Sequence, residues 1–115
     1  MLSARAILAA QKDCGGNGMR AAKACDALDR GCCLELYYPG RTLLVEPHAV
    51  GLDGTGRPWL LGFERHGAAD TGSGGWVFLP LDETSKVDVS GYLSHGPRQG
   101  HRRDDPRFDT ILAQL

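Results

Sequence analysis

The sequence lacks a surplus of charge of either sign. Thirteen basic residues stand against fourteen acidic ones, a formal net charge of −1. Proteins whose main task is to grip duplex phosphates usually carry a large positive excess, so the balance argues against that task, though not against a local basic groove. Long hydrophobic runs are also missing. The apolar stretch in Met1–Ala10 is too brief to cross a bilayer and is interrupted by Arg5. It reads better as a short helix over residues 3–11 than as an export signal, and the chain is expected to be cytoplasmic.

No Cys-x-x-Cys occurs among the four cysteines, and Cys32 and Cys33 are adjacent. That spacing suits neither a structural zinc site nor a secreted disulfide scaffold; small buried thiols in a reducing compartment fit better. Enzyme signatures are equally scarce: there is no Gly-x-Ser-x-Gly, Walker loop or dinucleotide fingerprint. Cys14–Gly18 has the glycines of a phosphate loop, but Met19 and Arg20 follow where Lys-Ser/Thr should stand. His48, His66, His95 and His101 lack metal-ligand spacing. Asp70-Thr71-Gly72-Ser73 spells the aspartic-protease signature, whose carboxylate must sit on a rigid turn beside a second one. Here it lies in a glycine-rich stretch with no apolar strand leading into it, and the loop reading prevails. The expectation is a protein that is not an enzyme and has no cofactor or metal.

Glycine is plentiful. Sixteen glycines and six prolines in 115 residues indicate one small, turn-rich, mostly β domain. Residues 19–30 form the clearest helix, with Ala21, Ala24, Cys25 and Leu28 on one face, Asp26 and Arg30 spaced to pair, and Gly31 as its stop. From Cys32 the period becomes two through Tyr38, and Pro39-Gly40 turns the chain back. Thr42–Glu46 and His48–Leu52 continue as strand, with a bend or bulge at Pro47. Asp53–Gly56 has hairpin composition. Trp59–Arg65, Trp76–Leu81 and Ser85–Ser90 are further strands, and residues 66–75 are a loop. About five short strands after a helix favour a small bent antiparallel barrel over a flat open sheet. In the tail, Phe108, Ile111, Leu112 and Leu115 have helical spacing after Pro106, so a short C-terminal helix is expected.

Tyr37, Tyr38, Trp59, Phe63, Trp76 and Phe78 all fall on strands. Buried, they are core; exposed beside arginines, they make a stacking platform for bases. Arg98, His101, Arg102, Arg103 and Arg107 form a basic cluster diluted by Asp104 and Asp105. Such a cluster can be a solvated surface or a set of forks for phosphates and carboxylates.

The run from Arg41 to Glu64 resembles the heart of a WYL domain. The helix 19–30, Leu34–Tyr38, Arg41, Val45–Leu52 and Pro58–Phe63 follow in the family's order, and Trp76–Val89 resembles its closing strands. The likeness covers roughly residues 19–90. It implies a small Sm-like barrel of the Src-homology-3 type and a role in bacterial regulation or phage defence. Through aromatic and arginine residues, such domains are thought to sense nucleotides or single-stranded nucleic acid. The sequence departs from the family at Pro58-Trp59-Leu60, where Trp59 takes the tyrosine position, and at Pro80 and Glu83, which replace two arginines around Asp82. No helix-turn-helix precedes the domain, so a freestanding module is expected.

The resulting expectation is an N-terminal extension (1–18), a helix-plus-barrel domain (19–95) and a basic tail with a short helix (96–115). Its function would be regulatory binding of a nucleotide-type or other small anionic ligand, or of a short single strand. Arg41 would anchor charge, Trp59 would stack, and Arg65 would lie beside them. His48 would add a hydrogen bond sensitive to pH near neutrality, with Glu46 orienting it. The competing expectation is a protein-interaction or self-association module working through an open strand edge, with no small ligand.

Overall fold

The computed structural model describes residues 15–65 and 74–115. The expected helix at 3–11, most of the 66–75 loop and the Asp70–Ser73 signature lie outside these residues. Helix α1 runs from Gly15 to Arg30, four residues earlier than the apolar spacing indicated. Its expected face is the buried one: Ala21, Ala24, Cys25 and Leu28 join the core together with Ala27. Asp26 and Arg30 pair across one turn at 3.1 Å, and Gly31 closes the helix at φ +70°. Among the described residues no helix is long and apolar enough to cross a membrane.

Among the described residues six antiparallel strands follow: β1 (Cys32–Tyr38), β2 (Arg41–Leu52), β3 (Pro58–Arg65), β4 (Gly74–Pro80), β5 (Lys86–Leu93) and β6 (Thr110–Gln114), with a 3₁₀ turn at Leu81–Glu83. The sheet order is β4-β3-β2-β1-β5, and β6 also pairs with β2. The twelve-residue β2 organises the rest. One of its edges pairs with β3 from Leu44 to Leu52. The other pairs with β1 as far as Val45 and with β6 from Ala49 onward. Pro47 faces Gly62 and Ala49 faces Leu61, so His48 is the extra residue of a bulge at the proline.

Two expectations are corrected. The sheet is open: β4 and β5 end the strand order, and no pairing joins them among the described residues. Instead of closing on itself, the sheet has the free half of β2 filled by the tail. The tail segment is accordingly a strand, not a helix. Ala49–Leu52 offers a row of unpaired backbone groups, and a ladder with them outweighs the weak helical tendency of so short a segment. Gly51 permits this approach, since a Cβ there would come within 2.6 Å of Phe108 Cδ1.

The inner face of the sheet packs on α1 through Leu34, Leu36, Leu43, Val45, Val50 and Leu60, with Leu81, Val87 and Leu112 completing the core. The outer face has its own smaller cluster, Ala49, Leu61 and Phe108, against which Trp59, Phe78 and Ile111 pack. The three described cysteines, Cys25, Cys32 and Cys33, are free thiols.

Candidate functional site

Alternation along β3 and β4 puts Trp59, Leu61, Phe63, Trp76 and Phe78 on the outer face. Register sets Leu61 beside Phe78 and Phe63 beside Trp76. Trp59 stacks on Phe78 with ring centroids 4.6 Å apart and 8° between planes, and Phe63 meets Trp76 edge-on. Three arginines cover this row. Arg57 lies 5.1 Å from the Trp59 ring centre, Arg98 lies 4.8 Å from Phe63, and Arg107 lies 4.2 Å from Phe78. A cation over a ring face is held by the ring quadrupole, and the aliphatic stem adds contact area. The aromatics are therefore neither wholly core nor a bare platform.

Arg98 and Arg107 belong to the segment between β5 and β6, which crosses the outer face. Its seat is a buried polar cluster. Arg98 forks onto the Glu46 carboxylate at 2.6 and 2.8 Å, and the His95 N–H donates to the same carboxylate at 3.2 Å. Arg65 Nη1 lies 3.6 Å from Glu46 and donates to the Leu93 carbonyl at 2.8 Å. Burial pushes the Glu46 carboxyl up, but the Arg98 fork, the His95 N–H and the Arg65 charge outweigh it and leave it below the usual carboxylate range.

The His48 ring lies fully buried between the sheet and this segment. Nδ1 sits 2.9 Å from the Glu46 carbonyl, and the Arg98 N–H points at Nε2 from 3.0 Å. A carbonyl can only accept and an N–H can only donate, so the ring is neutral, protonated on Nδ1 and accepting at Nε2. Burial lowers its basicity below the ordinary value, the Glu46 carbonyl opposes this, and His101 adds to it.

Beside this seat lies a cleft of about 150 Å³ lined by Leu61, Trp76, Gly100, His101, Arg102, Asp105 and Arg107. Trp76 is 39% exposed, and the His101 ring stands nearly parallel to it at 6.2 Å. His101 Nε2 is 3.1 Å from the Leu115 carbonyl, while its buried Nδ1 has no hydrogen-bond partner among the described residues. Asp105 already holds the Arg107 guanidinium by a fork at 3.0 and 2.8 Å. Arg102 is exposed and makes no ion pair among the described residues.

The five residues expected from sequence are thus divided. Glu46, His48 and Arg65 converge, but in the buried seat. Glu46 orients His48 through its backbone carbonyl, while its carboxylate serves Arg98. Arg41 is exposed at the start of β2, where it pairs with Glu64. Trp59 stands beside Gly51 near the other end of that strand, roughly 30 Å of chain from Arg41 at strand spacing. Its indole N–H donates to Asp53 at 2.9 Å. Trp76, His101, Arg102 and Arg107 were visible as aromatic and basic residues, but nothing in their spacing showed that they meet.

Among the described residues no group of three or more His, Cys, Asp or Glu converges to hold a metal ion. Burial pushes the Cys25 thiol up to about 12 and also raises Cys33, against the pull of Arg65. Both stay protonated and are poor nucleophiles. Neither protein-family models, curated proteins nor solved structures give a match to this chain.

Proposed function

We propose that this chain is a ligand-binding regulatory module of the WYL kind, and that its ligand is a base-bearing anion. That ligand is a nucleotide, either free or within a short single strand of nucleic acid. The observation that carries the reading is Trp76, a large aromatic left 39% exposed on the wall of a cleft. An indole in that position offers a stacking face to any base. Arg102 at the rim, exposed and without an ion pair among the described residues, supplies a fork for phosphate. The cleft holds a single ring system and leaves the phosphate outside, toward Arg102.

A helix followed by an antiparallel sheet is the element order that the WYL resemblance implies, although the sheet is open, and kinship with that family is part of the proposal. Three free thiols fit a reducing, cytoplasmic setting. The near-neutral charge suits a small or single-stranded ligand better than a duplex.

The test is fluorescence anisotropy with labelled single-stranded DNA, RNA and mononucleotides, at low and near-physiological salt, with duplex DNA as control. Saturable binding should weaken at least tenfold in Trp76→Ala and in Arg102→Ala. Arg41→Ala and Trp59→Ala in the same titration decide whether the contacts expected from sequence take part. A flat titration for every probe at both salts refutes the reading.

The second reading, self-association, has its own observation. Among the described residues strand β5 pairs with β1 alone, and its end carries Tyr92 at 47% and Leu93 at 67% exposure. A paired edge would cover both. A molar mass that rises with concentration, and does not do so in Leu93→Lys, supports it.

A further inference from the structure

We infer that residues 94–103 form a strap over the outer face, seated by neutral His48 and released when that ring takes up a proton. The strap has one fixed end and one conditional end. At the fixed end, Asp104 exchanges two hydrogen bonds with the Gln114 side chain, at 2.9 and 3.0 Å, and Phe108 is buried against the sheet. At the conditional end the strap meets Glu46 and His48: the His95 N–H and Arg98 side chain go to the Glu46 carboxylate and the Arg98 N–H to His48 Nε2, while the Ser94 N–H donates to the Gly31 carbonyl at 2.8 Å where the chain leaves β5.

The fit leaves no slack. A Cβ on Gly96 would lie 2.9 Å from His48 Nε2 and 3.0 Å from Leu115 Cδ1. A proton on Nε2 would face the Arg98 N–H at 3.0 Å, donor against donor, in a site without water access. The ring cannot turn to escape, because its other nitrogen then loses the Glu46 carbonyl. Protonation of the ring and a seated strap therefore oppose each other.

Burial is the largest influence against protonating the ring; of the charged and titratable groups around it, His101 and Arg98 oppose the proton and Glu46 favours it. On its own strand, Glu46 is already engaged by Arg98 and Arg65. The strap presents Arg98 and His101, a cation and a second imidazole 5.1 Å away between centroids. β4 presents only the uncharged Trp76 ring, 4.7 Å away, and the Leu115 side chain at the end of β6 is apolar. No free carboxylate among the described residues is placed to welcome an imidazolium.

By linkage, the lifted state gains on the seated one by up to about tenfold per pH unit below the ordinary histidine value, until the seated ring itself titrates. Gly100, His101 and Arg102 lie on the strap and form part of the cleft wall, so lifting it dismantles the cleft. That last consequence rests on the ligand reading above; the strap itself does not.

The test follows the ligand-free protein by nuclear magnetic resonance from pH 8 to 5. The expected result is that the Arg98 amide, the Trp76 indole N–H and the His48 ring nitrogens shift together, with a midpoint below 6.5, while β1–β3 amides stay in place. His48→Gln, which can accept the Arg98 N–H but does not titrate, should keep the strap seated throughout. If His48 titrates with the Arg98 amide unmoved, or if the same transition survives in His48→Gln, the inference is overturned. Should His48→Gln be unseated at every pH, the coincidence of ring and amide midpoints in the unaltered chain decides alone.

A second arm repeats the labelled-nucleotide titration at pH 7.5 and 5.5. Affinity lost at the lower pH in the unaltered chain but kept in His48→Gln extends the switch to the cleft. Equal affinity at both pH values, with the strap shown to lift, refutes the gating. Absence of binding at both pH values counts against the ligand reading and leaves the strap result standing.

Discussion

Arg98→Ala is the most informative single perturbation of this fold. The side chain is 17% exposed, and the Glu46 carboxylate it holds is wholly buried. Removing one partner of a buried ion pair costs about 3–5 kcal/mol, because the remaining charge is left desolvated. The lower end applies here, since Arg65 stays within 3.6 Å of Glu46 and the His95 N–H still donates to it. The expected loss is therefore about 3 kcal/mol, which in a domain of this size lowers Tm by at least about 12 °C.

Two companions separate the causes. Arg98→Lys keeps the charge but not the fork and should lose roughly half as much. Glu46→Gln combined with Arg98→Ala should cost less than the two single changes summed, by about 1–3 kcal/mol, because the groups contact each other directly. Urea denaturation followed by tryptophan fluorescence measures these three single variants and the double variant against the unaltered chain. A loss below about 1 kcal/mol for Arg98→Ala, with additive doubles, would mean that Glu46 is effectively hydrated and that the buried seat does not exist as described.

Other consequences follow from the same geometry. Acid should destabilise the domain in two stages. Neutral, buried His48 contributes stability that is complete above its ordinary value of 6.5 and is lost as pH falls toward its lowered folded value. Glu46, also lowered, contributes stability that is complete above 4.5 and is lost as pH falls through its folded value. Urea midpoints between pH 8 and 3 check both stages, and His48→Gln should remove only the first. Gly51→Ala places a Cβ 2.6 Å from Phe108 Cδ1 and should loosen β6 at a cost of about 1–3 kcal/mol, read as faster hydrogen exchange in Ile111–Gln114. In a Cys14→Ser background, a thiol reagent should label Cys32 first, because Cys25 and Cys33 are buried and held protonated; simultaneous labelling of all three would contradict the packing.

Much of the fold could be read locally. Ala21, Ala24, Cys25 and Leu28 announced the buried face of the helix, the period of two after Cys32 announced β1, and Pro47 announced the break in β2. Each depends on neighbours a few residues away. The tail could not be read in this way. Phe108, Ile111, Leu112 and Leu115 have helical spacing, and only the vacant edge of Ala49–Leu52, some sixty residues earlier, turns the segment into a strand. The arrangement of the site could not be read for the same reason. Glu46, His48 and Arg65 drew notice as polar residues in strong strands, yet their burial depends on Arg98, which is about fifty residues distant from Glu46 and His48. Chemistry at a position is legible in sequence; its solvent exposure is a tertiary property.

The bulge explains why so polar a cluster sits inside a small domain. On the shared edge of β2, β1 stops pairing at Val45 and β6 begins at Ala49, so residues 46–48 have no strand beside them there. Pro47 brings no N–H to that gap. The His48 carbonyl is taken by the Leu115 N–H at 2.8 Å, and the Glu46 carbonyl is taken by His48 Nδ1. An apolar filling could replace the ion pair without loss of stability in many proteins. It could not replace the imidazole N–H at the Glu46 carbonyl, nor accept the Arg98 backbone N–H. The ring at position 48 is thus the one group in the gap that meets a backbone acceptor and a backbone donor at once. The imidazole can do both only while it is uncharged, and for that reason the strap should respond to protons rather than merely rest on the sheet.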